Sequence, residues 1–269
     1  MPTRCAVLGK PIAHSLSPVM HRAAYARLGL DWTYDAIEVA ESELEGFLAS
    51  CDDTWRGLSL TMPLKREVIG LADEVTKVAR ILNVANTLEF RDGRTIVSNT
   101  DCTGAVAALA ERGVRKVKTA RILGGGATAA SIAYALASKG LEHLDFVVRD
   151  PGRAEEAVAI ARDAGVDVAV RRLDEALIDV VDLLVSTVPG DVIRHEAHNL
   201  VDSTRAVFDV IYDPWPTPLA RAAKESGVPL VSGLDLLAHQ ASFQVELMTG
   251  SPVDADLLRE AALAELATR

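Results

Sequence analysis

The chain alternates short apolar runs with longer amphipathic or small-residue stretches, and glycine and proline mark the breaks. Residues 4–9 read as a first buried strand. Residues 10–18 form a loop that ends in Ser17, a good N-cap, and Pro18, a favourable first helical residue. A helix over 19–28 stops at Gly29, and residues 32–39 alternate with the period of a half-buried strand. A helix over 41–50, a strand over 57–61 ending at Met62-Pro63, and helical stretches over 65–71 and 76–81 follow. Two strands, 86–90 and 94–98, flank Arg91-Asp92-Gly93, which signals a hairpin.

A helix over 101–111 ends at Gly113, and a domain boundary is placed near it. Beyond it lie a strand over 120–123, three glycines, and a helix of small residues over 127–137. Strands over 144–148, 166–170, 182–186, 206–210 and 229–232 alternate with helices over 155–164 and 219–226. This order predicts a parallel sheet with helices on both faces. The last helices, 234–249 and 255–267, can cross back to the first domain and leave it discontinuous. The fold class is therefore α/β in two domains, the second Rossmann-like and doubly wound.

Composition narrows the function. With 38 acidic against 28 basic residues the net charge is -10, which argues against a nucleic-acid or anionic-membrane partner. The three cysteines, Cys5, Cys51 and Cys102, are far apart and odd in number, so neither a disulfide framework nor a metal site is expected. No apolar run approaches a membrane span or a signal-peptide core, and the expected location is the cytoplasm.

The stretch Arg121-Ile-Leu-Gly-Gly-Gly-Ala-Thr-Ala-Ala-Ser131 carries the first chemistry. A strand, a glycine turn and a helix N-terminus converge amides on one spot, and glycine lets a diphosphate approach the backbone. Gly124-x-Gly126-x-x-Ala129 fits the dinucleotide fingerprint. After the next strand come Arg149 and Arg153, whose forked donors suit a 2′-phosphate, so NADP(H) is favoured over NAD(H). Asp150 can be read as the ribose acid of an NAD site, but directly before Pro151 it reads better as an N-cap. In the first domain Lys65 lies just beyond a strand end, where ligands bind in α/β sheets, although a lysine there can also be a plain surface charge. Asp101 can be an N-cap alone, and Ser15 and Ser17 can grip a carboxylate or merely cap. With Asn86 and Gln240 they call for one explanation.

Taken together, the motifs resemble those of the shikimate dehydrogenase family, nearest to its actinobacterial form. The resemblance spans essentially the whole chain. It rests on Gly9-Lys-Pro-Ile-Ala-His-Ser-Leu-Ser-Pro18, Leu60-Thr-Met-Pro-Leu-Lys65, Ala85-Asn-Thr87, Asn99-Thr-Asp101, the glycine turn, and Val148-Arg149 with Arg153-Ala154. It rests also on Asp209-Val-Ile-Tyr-Asp-Pro214 and Gly233-Leu-Asp-Leu-Leu-Ala-His-Gln240 ahead of Met248-Thr-Gly250.

The resemblance implies a substrate-binding catalytic domain of residues 1–101 plus 238–269 and an NADP-binding domain of residues 102–237. It implies reversible NADPH-dependent reduction of 3-dehydroshikimate to shikimate, in chorismate and aromatic amino acid biosynthesis, with no metal. By the same resemblance Lys65 and Asp101 form the catalytic pair. Ser15 and Ser17 hold the substrate carboxylate, and Thr61, Asn86, Asp101 and Gln240 bind its hydroxyls with Tyr212 nearby. Gly124, Gly125, Gly126, Ala127 and Thr128 cradle the diphosphate, and Arg149 and Arg153 take the 2′-phosphate. Thr187, Val210 and Gly233 line the nicotinamide side. Departures are Ala127 for a fourth glycine, Val148-Arg149-Asp150 for Asn-Arg-Ser/Thr, Ser186-Thr-Val-Pro189 for Asn-Ala-Thr-Pro, and Met248 for tryptophan. The rival readings are an NAD-preferring quinate/shikimate dehydrogenase and a non-catalytic dinucleotide sensor. The assembly is left open, with a homodimer as one option.

Overall fold

The computed structural model describes residues 3–173, 175 and 179–269. They form two units, residues 1–104 with 237–269 and residues 105–236, each built on a six-stranded sheet.

The first unit runs β1 (Thr3–Gly9), α1 (Ser17–Leu28), β2 (Trp32–Glu38), α2 (Leu44–Ala49), β3 (Trp55–Leu60), α3 (Leu64–Glu67), β4 (Glu74–Val75), α4 (Lys77–Leu82), β5 (Thr87–Arg91) and β6 (Arg94–Ser98). The sheet order is β2-β1-β3-β5-β6-β4. β1, β2 and β3 are parallel, β5 runs antiparallel to β3, and β6 reverses again. The ends of β1, β3 and β6 and the start of β5 therefore share one edge. At the hairpin Asp92 and Gly93 have φ of 52° and 73°, the pair of left-handed residues that a two-residue turn between twisted strands requires. Leu8, Leu58, Leu60, Leu64, Leu88 and Val97 are at most 2% exposed in one core cluster, because the strands are covered rather than half-solvated.

α5 (Asp101–Glu111) leads into the second unit, which runs β7 (Thr119–Leu123), α6 (Ala127–Ala137), β8 (His143–Val148), α7 (Glu155–Asp163), β9 (Asp167–Arg172), β10 (Leu183–Ser186), α8 (Ala197–Asp202), β11 (Val207–Asp209), α9 (Pro218–Glu225) and β12 (Leu230–Ser232). All its strands are parallel, in the order β12-β11-β10-β7-β8-β9. This is the doubly wound arrangement, with the reversal of winding between β7 and β10. α10 (Gly233–Thr249) and α11 (Ala255–Leu266) complete the chain. α10 opens on a reciprocal cap in which Asp235 N donates to Ser232 Oγ and Ser232 N to Asp235 Oδ2. Burial alone would raise the Asp235 carboxyl, but the bonds from Arg112 and Ser232 together outweigh it and hold it below the usual range.

Several expected details differ. Leu16 rather than Ser17 occupies the N-cap of α1, and Ser17 is already helical and buried. The helix expected over 41–50 shortens to α2, because Ser42 at φ 69° bends the chain before it. The helix over 65–71 is α3 followed by a 3-10 turn, Val68–Gly70. β4, only two residues long, and the helical pieces Gly190–Ile193 and α8 were not anticipated. Arg121, between Ala120 and Ile122 in β7, is fully buried and bonds Asp145 at 3.3 Å, Ser203 and the Asp179 carbonyl.

In the first unit His21 of α1 is fully buried, with its ring stacked on Tyr34 at 4.0 Å and 19°. Neither ring nitrogen meets a partner in full hydrogen-bond geometry among the described residues. Burial, offset slightly by Gln244, holds the imidazole neutral and lowers its pKa to about 3. The folded value lies below the unfolded one, so this contribution to stability is complete above pH ~6.5 and is lost as pH falls toward 3. One extra proton in the unfolded state amounts to about 1.4 kcal/mol per pH unit. His21→Phe should flatten the fall in unfolding free energy between pH 6.5 and 4 by about that slope. Urea melts of both proteins across this range check it, and equal slopes would refute it.

Candidate active site

Four segments meet at the shared edge of the first sheet. Thr61 follows β3, and its amide donates to the Leu8 carbonyl of β1 at 2.9 Å. That approach needs Gly9, where a Cβ would lie 2.4 Å from Thr61 Cγ2 and 2.8 Å from the Met62 carbonyl. Lys65 then sits in the first turn of α3, tied to the segment that leads into β5 through its carbonyl, which accepts from Ala85 N at 2.8 Å. Asn86 precedes β5, and Asn99, Thr100 and Asp101 join β6 to α5.

These side chains converge. Lys65 Nζ donates to Asp101 Oδ2 at 2.7 Å, with the two side chains 18% and 8% exposed. Asp101 opens α5, where the helix dipole favours a carboxylate. Asn86 Nδ2 donates to Asp101 Oδ1 at 2.9 Å and approaches Gln240 Oε1 at 3.2 Å. Gln240 is brought in by α10, which approaches α5 so closely that a Cβ on Gly104 would lie 2.9 Å from Gln240 N. Ser15 and Ser17 lie beyond β1 on the same edge, and Ser17 N donates to Ser15 Oγ. Tyr212 lies in the second unit, after β11.

In the second unit the glycine turn follows β7 at the point where the winding reverses. Gly124 has φ of +107°, and a Cβ there would lie 2.3 Å from Thr187 Oγ1, which donates to the Leu123 carbonyl. A Cβ on Gly125 would lie 2.7 Å from Ala154 Cα. At Gly126 a Cβ would meet nothing within 4 Å. Gly126 is exposed, is also the N-cap of α6 and supplies no side-chain cap to the first amides of that helix. The turn thus fits an anionic group such as a diphosphate. Asp150 caps the 3-10 turn Pro151–Ala154 by accepting from Gly152 N at 3.1 Å, the capping reading of this residue. Arg149 and Arg153 are exposed and form no ion pair among the described residues. Gly233 packs on Val210, whose carbonyl oxygen would lie 2.2 Å from a Cβ.

The family model for the shikimate dehydrogenase substrate-binding domain matches residues 7–88. A curated relative from Methanopyrus kandleri, shikimate dehydrogenase (NADP(+)), is 33% identical over 97% of this chain and 94% of its own length. The chain belongs to the shikimate dehydrogenase family. The crystal structure of the Mycobacterium tuberculosis shikimate dehydrogenase matches with a TM-score of 0.89 and 38% identity, over 98% of this chain and 100% of that one. The Thermus thermophilus enzyme in complex with NADP(H) and shikimate matches with a TM-score of 0.85 and 33% identity, over 97% and 99%.

The motif reading did not assign a role to Thr100 or Gln244, although both bond into the cluster around Asn86. The available signals were Thr100 inside the Asn99-Thr-Asp101 motif and the four-residue spacing from Gln240 to Gln244, which puts both on one helix face.

The glycines separate fold from ligand. Gly125→Ala should cost about 1–3 kcal/mol through overlap with the Ala154 backbone. Gly126→Ala, with φ -80° and open space, should lose only the preference for glycine over alanine at an N-cap, about 0.5–1 kcal/mol. Thermal and urea unfolding of the two variants compare them directly, and equal losses would show that the close approach at Gly125 is not what requires glycine.

Proposed function

We propose that the protein catalyses the reversible NADPH-dependent reduction of 3-dehydroshikimate to shikimate, a step toward chorismate and the aromatic amino acids. The observation that carries this reading is the part-buried Lys65–Asp101 pair, held by Asn86 at the strand ends of a shikimate dehydrogenase fold. The NADP(+) designation of its curated relatives supports this reading over an NAD-preferring quinate enzyme. The first unit binds substrate and the second binds the cofactor.

When bound, the nicotinamide supplies the hydride. Reduction leaves negative charge on the ring carbonyl oxygen, and Lys65 Nζ delivers the proton that this oxygen takes up. In the reverse direction Nζ receives it. Asp101 Oδ2 orients the ammonium through its 2.7 Å bond, and the carboxylate also accepts from a substrate hydroxyl. Ser15 and Ser17 bind the substrate carboxylate with neutral hydroxyl donors. Thr61, Asn86, Gln240 and Tyr212 complete the set of groups for its hydroxyls.

Gly124 to Thr128 would hold the diphosphate, and Arg149 and Arg153 the 2′-phosphate, where two guanidinium forks match phosphate oxygens. Thr187, Val210 and Gly233 line the nicotinamide side. The capping role of Asp150 supports NADP over NAD, because its carboxylate is engaged with Gly152 N. A cytoplasmic location agrees with three free cysteines, and no described helix is long and apolar enough to cross a membrane. Sedimentation distinguishes a homodimer from a monomer.

Lys65→Ala should lower kcat for shikimate oxidation about a hundredfold or more, with a smaller change in KM. Steady-state assays with NADP on parent and variant check this, and a near-parental kcat would remove Lys65 from the proton transfer. Arg149→Ala should weaken NADPH much more than NADH. An equal loss for both cofactors would remove the 2′-phosphate role.

A further inference from the structure

Beneath the site, a chain of buried polar side chains runs from the core of the first unit to Asn86. Tyr34 Oη donates to Ser59 Oγ at 2.6 Å, and Ser59 Oγ donates to Gln244 Oε1 at 2.8 Å. Gln244 Nε2 donates to the Asn86 carbonyl at 2.9 Å and to Thr87 Oγ1 at 3.0 Å. Thr87 Oγ1 donates in turn to Asn86 Oδ1 at 3.0 Å. Tyr34, Ser59, Thr87 and Gln244 are each at most 4% exposed, so water does not compete for these groups.

The polarity of the chain is set by backbone groups at two points. A backbone carbonyl only accepts, so the Gln244 atom facing the Asn86 carbonyl is the amide nitrogen. A backbone amide only donates, so the Asn86 atom facing Thr100 N, at 2.8 Å, is Oδ1. The Thr87 hydroxyl between them receives from Gln244 and gives to Asn86. With Oδ1 satisfied by Thr100 N and Thr87 Oγ1, the Asn86 Nδ2 is turned toward Asp101 and Gln240. A flipped amide would set its NH2 against the Thr100 N–H and its oxygen against the Asp101 carboxylate, and both contacts would be repulsive.

We propose that Gln244, acting through Thr87, is a positioning residue that locks the Asn86 carboxamide and thereby the orientation of Asp101 toward Lys65. The proposal rests on the reading of Lys65 and Asp101 as the catalytic pair. Gln244 touches neither of them. Its effect reaches them through one hydroxyl and one amide, and a role limited to core packing would leave the chemistry of the folded enzyme unchanged.

The test uses Thr87→Val, which keeps shape and removes the hydroxyl, Thr87→Ser, which keeps the hydroxyl, and Gln244→Glu, whose carboxyl, 1% exposed at this position and facing the Asn86 carbonyl, is held protonated and replaces the two-donor amide by a single O–H. That O–H goes to the Asn86 carbonyl, so Thr87 Oγ1 loses its incoming donor and no longer holds Asn86 Oδ1 in one orientation. Shikimate oxidation with NADP is measured across pH, together with melting temperature and KM for NADP. Thr87→Val and Gln244→Glu should each lower kcat about five- to tenfold and displace the pH profile of kcat, while KM for NADP stays within about twofold. Thr87→Ser should recover most of the loss. Should the valine variant not fold, Gln244→Glu reads the same kcat and pH displacement. Folded Thr87→Val or Gln244→Glu enzyme with parental kcat and pH profile overturns the proposal, as does a serine variant no better than valine. A parent enzyme with no shikimate oxidation would sink the catalytic reading instead, so the two failures are distinct.

Discussion

The carboxamide of Asn86 is the group around which the first unit is organised. It is 2% exposed, and every polar atom it buries needs a partner in the protein. Its oxygen takes a backbone amide from the β6–α5 connection and a hydroxyl from β5, and its nitrogen reaches Asp101 and α10. Three segments distant in sequence are thus held in one geometry by one side chain. Because an amide has a donor end and an acceptor end, satisfying all of them leaves a single orientation. The Lys65–Asp101 pair inherits its direction from that choice.

The second unit is built around close approach of backbones. At Gly124, Gly125 and Gly233 a Cβ would collide with Thr187, Ala154 or the Val210 carbonyl, so these glycines bring separate loops together. Gly126 differs, since its Cβ position faces open space. One glycine-rich turn therefore contains two kinds of requirement. Two of its residues shape the fold, and the third is exposed at a helix N-terminus that has no side-chain cap. The two units divide the work between a hydrogen-bonded polar cluster and a bare backbone cradle.

The alternation of strands and helices, the hairpin at Asp92-Gly93 and the glycine turn were legible because each depends on neighbours in sequence: periodicity, positive φ, and a strand feeding a helix. Asp150 was legible for the same reason, as Asp-Pro is a local capping signal. Errors fell where tertiary partners overrode local preference. Ser17 looked like a cap but is drawn into the buried first turn of α1. The strand over 120–123 was expected, but the partner that offsets the buried Arg121, Asp145 on the neighbouring strand, was not legible. β4 has only two residues and exists through its pairing with β6.

The sequence by itself determined the class of fold, the order of the elements and the motifs that mark the family, because these are written in local spacing and residue type. It named Lys65, Asp101, Asn86 and Gln240 as residues in need of a common explanation. Only the tertiary structure decided that they meet, since β3, β5, β6 and α10 reach one edge through strand reversals that no local pattern encodes. The direction of each hydrogen bond between them belongs to the same level. An amide in a sequence has no orientation until donors and acceptors from elsewhere in the chain surround it.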